Sequence, residues 1–172
     1  MIDAYLGVGT NLGNRLEMIR GAMATLRALP STRVISVSSV YETEAVVLPG
    51  AVPQPPYLNA AIHVQTSLAP DGLLHACQDA EKSFGRDRSA GGRWEARTLD
   101  IDILHVPGVR MTGSELTLPH PRLHERAFVL VPLAEIAPEL HIPAPIDSSV
   151  EYLLSHLTDA HTVTRLPVDE PL

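Results

Sequence analysis

Apolar residues in the first two thirds of the chain recur at two spacings, and the order in which the spacings alternate restricts the fold more than any single motif. Residues 4–9 form a short apolar run that reads as a strand. In residues 14–29, Leu16, Ile19, Met23 and Leu26 fall at helical spacing, and Pro30 follows the end. Residues 33–43 are rich in Val, Ile, Ser and Tyr and suit a second strand. Four prolines and a glycine make residues 47–56 a loop. Leu58, Ala60, Ile62 and Val64 then alternate with Asn59, Ala61 and His63, a strand of the same kind. Residues 70–84 read as a helix, with Pro70 in the first turn and Gly85 just past the end. After a Gly- and Arg-rich loop at 86–97, Leu99, Ile101 and Ile103 alternate with Asp100 and Asp102. Helical stretches follow near 127–136 and 150–157. The order strand, helix, strand, strand, helix, strand, then a helical tail, implies an α+β fold. We expect a ferredoxin-like βαββαβ sandwich: a mainly antiparallel sheet with helices packed on it and a helical C-terminal tail. The 172 residues, 45% of them hydrophobic, suffice for one substantial core, so residues 1–172 read as a single domain. Fold order alone leaves function open.

Composition narrows the classes. The net charge of -7 argues against nonspecific binding to nucleic acid or to an anionic membrane surface. No apolar run approaches the roughly 20 residues that span a bilayer, and the first residues lack the basic-then-apolar pattern of a secretory signal. Cys77 is the single cysteine, which excludes an intramolecular disulfide and a zinc site of several thiolates. A cytoplasmic protein is expected. In so acidic a chain, a cluster of Arg86, Arg88, Arg93 and Arg97, four of the 13 basic residues, points to an anionic ligand.

Asp100-Ile101-Asp102 is the sharpest local feature. Strand side chains alternate faces, so both carboxylates point one way while Leu99, Ile101 and Ile103 point into the core. Side by side they repel, and a hard divalent cation such as magnesium would relieve that repulsion. Taken alone, the pattern reads more simply as an exposed polar strand face. The preceding segment from Gly85 to Arg97 changes the balance, because guanidinium forks bind phosphate and glycines let a loop adapt. An arginine loop beside a dicarboxylate suits polyphosphate transfer, in which the catalyst positions groups and neutralises charge. A solvated basic loop is the plainer alternative, against which Trp94 counts, since an exposed large aromatic usually covers something. Residues 7–13, with Gly7, Gly9 and Gly13, fit neither GxGxxG nor a P-loop and read as a tight connection between a strand and a helix. Tyr57, Asn59 and Phe128 have the chemistry to stack a flat heterocycle and bond its edge, although such residues are more often core or turn residues. His120, Arg122, His124 and Arg126 make a second cationic group.

Two rival classes share this element order. An RNA-recognition module would present aromatics on the strand that here carries Asp100 and Asp102, and would usually be basic. A ligand-sensing regulatory domain would have no use for a metal site. Magnesium-dependent ATP binding separates a kinase from both.

The sequence closely resembles the 6-hydroxymethyl-7,8-dihydropterin pyrophosphokinase family over roughly its first 140 residues. The resemblance is carried by residues 4–13, 57–61, 81–86, 93–102, 116–120 and 126–130, above all by Arg97-Thr98-Leu99-Asp100-Ile101-Asp102. It implies transfer of diphosphate from ATP to the hydroxymethyl group of the dihydropterin, with release of AMP, in folate biosynthesis. It implies two magnesium ions on Asp100 and Asp102. It implies ATP against Glu81, Arg86, Arg88, Trp94, Arg97, Ile103, Thr117, His120 and Arg126. It implies the pterin between Tyr57 and Phe128, with Asn59 at its edge and Thr43, Val46 and Asp100 beside it. Arg86, Arg97, Asp100 and Asp102 are the catalytic candidates, and a monomer with small-molecule partners is expected. The chain departs from the family at Thr43-Glu44-Ala45-Val46, where relatives often have Thr-Pro-Pro-Leu. It also departs at Glu115 and Pro121, where relatives can have Arg and Tyr, and its arginine loop is one residue longer than in some relatives.

Overall fold

The computed structural model describes residues 1–45, 52–85, 98–158, 162–167 and 172. Strand β1 (Ile2–Thr10) runs inside a sheet, antiparallel to β4 (Tyr57–Thr66) on one side and to the edge strand β5 (Asp100–His105) on the other. The far edge of β4 is shared: β3 (Tyr41–Thr43) pairs with its beginning and β2 (Thr32–Val37) with its end. Strand β10 (Val163–Arg165) adds to β3, also antiparallel. Helix α1 (Arg15–Ala28) follows β1, and α2 (Pro70–Ser83) follows β4.

These helices close one face of the sheet. Leu6, Val8, Ile62, Val64, Ile101 and Ile103 from the strands pack with Ile19, Met23, Leu26, Leu73 and Cys77 from the helices. Each helix starts where its sequence permits: the Asn14 carboxamide oxygen accepts from the Glu17 N–H, and Pro70 occupies the first turn of α2. Where α2 ends, the Phe84 ring lies directly over Gly21 of α1, and a Cβ at Gly21 would collide with it. On the other face, Ala61 and Leu104 pack with Leu123, Leu130 and Leu133 of helix α3 (Ala127–Ile136) and its approach, and with Val150. Because this face is also covered, Asn59 and Ala61 are as buried as the apolar residues they alternate with.

The expected single strand at 33–43 is broken into β2 and β3. Ser38 intervenes: its N–H donates to the Ala61 carbonyl, and its hydroxyl accepts from the Ala61 N–H at 2.9 Å, so a side chain replaces one rung of the ladder. The C-terminal part is mixed, not simply helical. It holds α3 and α4 (Val150–Ser155), a ribbon of β8 (His141–Ile142) and β9 (Ser148–Ser149), and then β10. A second ribbon, β6 (Met111–Thr112) with β7 (Thr117–Leu118), follows β5. Among the described residues no helix is long and apolar enough to cross a membrane.

Candidate active site

Register brings the polar residues of the sheet together. Gly7 faces Ala61 on one side and Asp102 on the other; Gly9 faces Asn59 and Asp100. Residues opposite one another in an antiparallel pair point to the same side. One face of three adjacent strands therefore presents two glycines flanked by a carboxamide and two carboxylates. The missing side chains of β1 leave a depression, which opens into a cleft of about 280 Å³. Gly7 and Gly9 lie inside β1, as the strand expected at 4–9 has them, so the tight connection expected over 7–13 is shorter and falls at residues 11–14. The spacing of these glycines, two apart in a strand of period two, was the available signal.

The walls come from separate elements. Thr43, Glu44 and Tyr57 stand on one side, and Arg126, Phe128, Val129 and Pro132 of α3 and its N-terminus on the other, with His120 beside them. Asn59 is 5% exposed, and its Nδ2 donates to Thr43 Oγ1 at 2.8 Å. Its carboxamide oxygen lies over Gly9, 3.2 Å from where a Cβ would sit. The cleft thus meets an acceptor at this point.

Asp100 and Asp102 line the same cleft. Among the described residues no group of three or more His, Cys, Asp or Glu gathers to hold a metal. Two hard carboxylate oxygens without soft ligands suit magnesium, which keeps water and phosphate oxygens in its remaining positions. Arg126 is within electrostatic reach of both. Burial and the neighbouring Arg122 cation lower its pKa, while Asp102 and Asp100 act in the opposite sense. Its guanidinium carbon is 5.4 Å from the centre of the Phe128 ring, a cation–π contact.

His120 is held neutral. Burial, then the Arg126 and Arg122 cations, push its pKa from 6.5 down to about 4. Its Nδ1 accepts from the Arg122 N–H at 3.2 Å, which places the remaining proton on Nε2. The backbone N–H of His120 is fixed on the Leu104 carbonyl at 2.8 Å.

Other sequence candidates lie elsewhere. Glu81 is fully buried on α2, and its Oε1 accepts from the Ile101 N–H at 2.8 Å, so it supports the strand between the two aspartates from behind. Ile103 is 3% exposed and belongs to the core under α1 and α2. Thr117, on β7, donates to the Gly113 carbonyl at 3.4 Å. Val46, Arg86, Arg88, Trp94 and Arg97 lie outside the described residues. Glu44, Leu104, Val129 and Pro132 line the cleft without having been singled out as ligand contacts. Pro132 also lacks the N–H that would bond the Phe128 carbonyl within the helix.

Residues 5–138 match the family model described as 7,8-dihydro-6-hydroxymethylpterin-pyrophosphokinase (HPPK). A 2-amino-4-hydroxy-6-hydroxymethyldihydropteridine pyrophosphokinase of Methylorubrum extorquens is 45% identical over 142 residues, covering 83% of this chain and 87% of that one. The protein of the same name from Bacillus subtilis is 42% identical over 137 residues, covering 80% and 79%. Among solved structures, an HPPK-DHPS in complex with substrates superposes with a TM-score of 0.67 at 13% identity. That match covers 90% of this chain and 45% of the other, so the chain spans less than half of that protein, and the likeness is one of fold.

Proposed function

The chain belongs to the 7,8-dihydro-6-hydroxymethylpterin-pyrophosphokinase family and is an ATP-dependent diphosphotransferase of folate biosynthesis, and we propose that the cleft over Gly7 and Gly9 is where its reaction takes place. The reaction moves diphosphate from ATP to the hydroxymethyl group of 6-hydroxymethyl-7,8-dihydropterin and releases AMP. The observation that carries the assignment is the meeting, in one cleft, of a dicarboxylate and an amide-and-aromatic slot. The first suits a magnesium–polyphosphate and the second a flat heterocycle.

In this reading Tyr57 and Phe128 stack on the two faces of the pterin, and the Asn59 oxygen accepts from an N–H of its edge. Thr43 fixes that carboxamide, so the acceptor is in place before the ligand arrives. Asp100 and Asp102 would hold magnesium, with two ions in our reading. Magnesium supplies neutralising charge to the polyphosphate when bound. The neutral His120 offers its Nε2–H and Arg126 its guanidinium to phosphate oxygens. Glu81, Ile103 and Thr117 border the nucleotide through the strands they hold. Arg86 and Arg97 complete the assignment as the cations that meet charge on the departing AMP, with Arg88 and Trp94 as further contacts of the nucleotide and Val46 of the pterin. In-line attack by the pterin hydroxyl on the β-phosphorus needs the two substrates aligned, and the common cleft supports that alignment.

The strand order, with β3 and β2 outside β4, then β1, then β5, supports a ferredoxin-like βαββαβ reading of residues 2–105. We take residues 1–172 as one catalytic domain, working as a cytoplasmic monomer on small molecules. The deciding experiment supplies ATP, magnesium and reduced hydroxymethylpterin and scores AMP against ADP. Both the β- and γ-phosphates should appear on the pterin. Transfer of the γ-phosphate alone would make this an ordinary kinase and overturn the reading.

A further inference from the structure

Glu135 sits at the far end of α3 from Phe128 and does not line the cleft. Its carboxylate gathers three hydrogen bonds from the chain that enters β3. Oε2 accepts from the Ser39 N–H at 2.8 Å and from the Tyr41 hydroxyl at 3.0 Å; Oε1 accepts from the Ser39 hydroxyl at 2.8 Å. Arg165 of β10 approaches Oε1 at 3.9 Å, and the Leu166 N–H donates to the Val40 carbonyl at 2.8 Å, so the C-terminal strand backs the same segment. Phe128 stands on one wall of the cleft through α3; on the other stand Thr43 of β3 and Tyr57, its partner across the β3–β4 pairing. One carboxylate therefore ties the element carrying one wall to the element carrying the other.

We propose that Glu135 is a positioning residue that sets the width of the pterin slot, a role that rests on the cleft being the pterin site. A flat ring held between two faces needs them about 7 Å apart, twice the ~3.5 Å carbon–carbon contact. If the tie is cut, the walls drift, and each binding event must order them again. The cost falls on pterin binding, because Asp100 and Asp102 are set by β5 and its pairing with β1, which the tie does not touch.

The test measures kcat, the two KM values and the thermal midpoint for Glu135→Ala, Glu135→Gln, Tyr41→Phe and Phe128→Ala. Asp3→Ala serves as a control, since Asp3 makes a comparable tie to His63 at 2.8 Å and Gln65 at 3.1 Å away from the cleft. Glu135→Ala should raise the pterin KM roughly tenfold, with kcat and the ATP KM within about twofold. Glu135→Gln, which keeps one acceptor, should recover part of the loss. Asp3→Ala should lower the midpoint and leave the pterin KM alone. An unchanged pterin KM in Glu135→Ala, beside a raised one in Phe128→Ala, overturns the tie and leaves the site standing. No effect of Phe128→Ala removes the site and the tie together. Equal rises in Glu135→Ala and Asp3→Ala would reduce the tie to general stability and also overturn it. Should Glu135→Ala not fold, Tyr41→Phe decides: a pterin KM raised about two- to threefold supports the tie, and an unchanged one overturns it.

Discussion

The two faces of the central sheet are built from the same strands and do opposite things. Toward α1 and α2 the strands present Leu6, Val8, Ile62, Ile101 and Ile103, and the face is filled. Toward α3 the same strands present Gly7, Gly9, Asn59, Asp100 and Asp102, and part of the face stays open as a cleft. A strand alternates its side chains, so every residue that deepens the site is neighboured by one that anchors it. Stability and chemistry are thereby interleaved residue by residue along β1 and β5 and separated only by direction.

The comparison is tested most severely by exchanging losses between faces. Asp102→Ala should reduce turnover on the order of 10³-fold. Its thermal midpoint in metal-free buffer should hardly move, because relief of repulsion from Asp100 offsets the lost attraction of Arg126. A large fall in midpoint would show that the open face is structural after all. Leu6→Ala, fully buried on the closed face, should do the reverse: destabilise by about 2–5 kcal/mol in denaturant melts while the folded enzyme keeps its KM values. A raised KM there would show that the faces are coupled.

The floor offers a finer contrast. Gly9→Ala places a Cβ 3.2 Å from the Asn59 oxygen and should raise the pterin KM about tenfold, one lost hydrogen bond of this kind being worth roughly 1–1.5 kcal/mol. Gly7→Ala comes nearest to the Leu104 side chain, at 3.4 Å, an ordinary contact, and should change the KM much less. Equal effects at both positions would mean that depth, not the placement of Asn59, matters.

The smallest effect is on pH. His105 is 1% exposed, and burial, then the nearby His141, push its pKa from 6.5 to about 4; His120 is lowered to about the same value. The unfolded chain takes up these protons first. Their contribution is complete above pH 6.5 and is lost as pH falls toward about 4. Asp3, whose carboxyl is held low by His63 and Gln65, loses its contribution only at still lower pH. His105→Gln should therefore flatten the fall of the midpoint between pH 6.5 and 4; an unaltered slope would assign that fall to other groups.

Much of this was legible in the sequence because it is local. The alternation around Asp100 and Asp102 gave β5 and its polar face, and the spacing of Leu16 to Leu26 gave α1. Pairing depends on partners far along the chain, and there local pattern fails. Ser38 breaks a strand only because Ala61 lies opposite, and residues 163–165 form a strand only because β3 leaves an edge free. Glu81 accepts the Ile101 N–H through its Oε1, 20 residues on, a contact that no local pattern marks. Glu135, 96 residues from Ser39, belongs to no sequence period at all.

The contact between Gly21 and Phe84 bears on how this chain is able to vary. The aromatic ring fills a notch that exists only because position 21 has no side chain, and Phe84 is the residue from which the chain leaves α2 toward its arginine-rich segment. Drift to alanine at 21 would evict the ring and shift the root of that segment; drift to a small residue at 84 would leave the notch empty. Neither step is neutral alone, so the two positions should change hands together. A mutational library that samples them singly would score both as intolerant, whereas paired sampling would recover combinations such as a larger residue at 21 with a smaller one at 84.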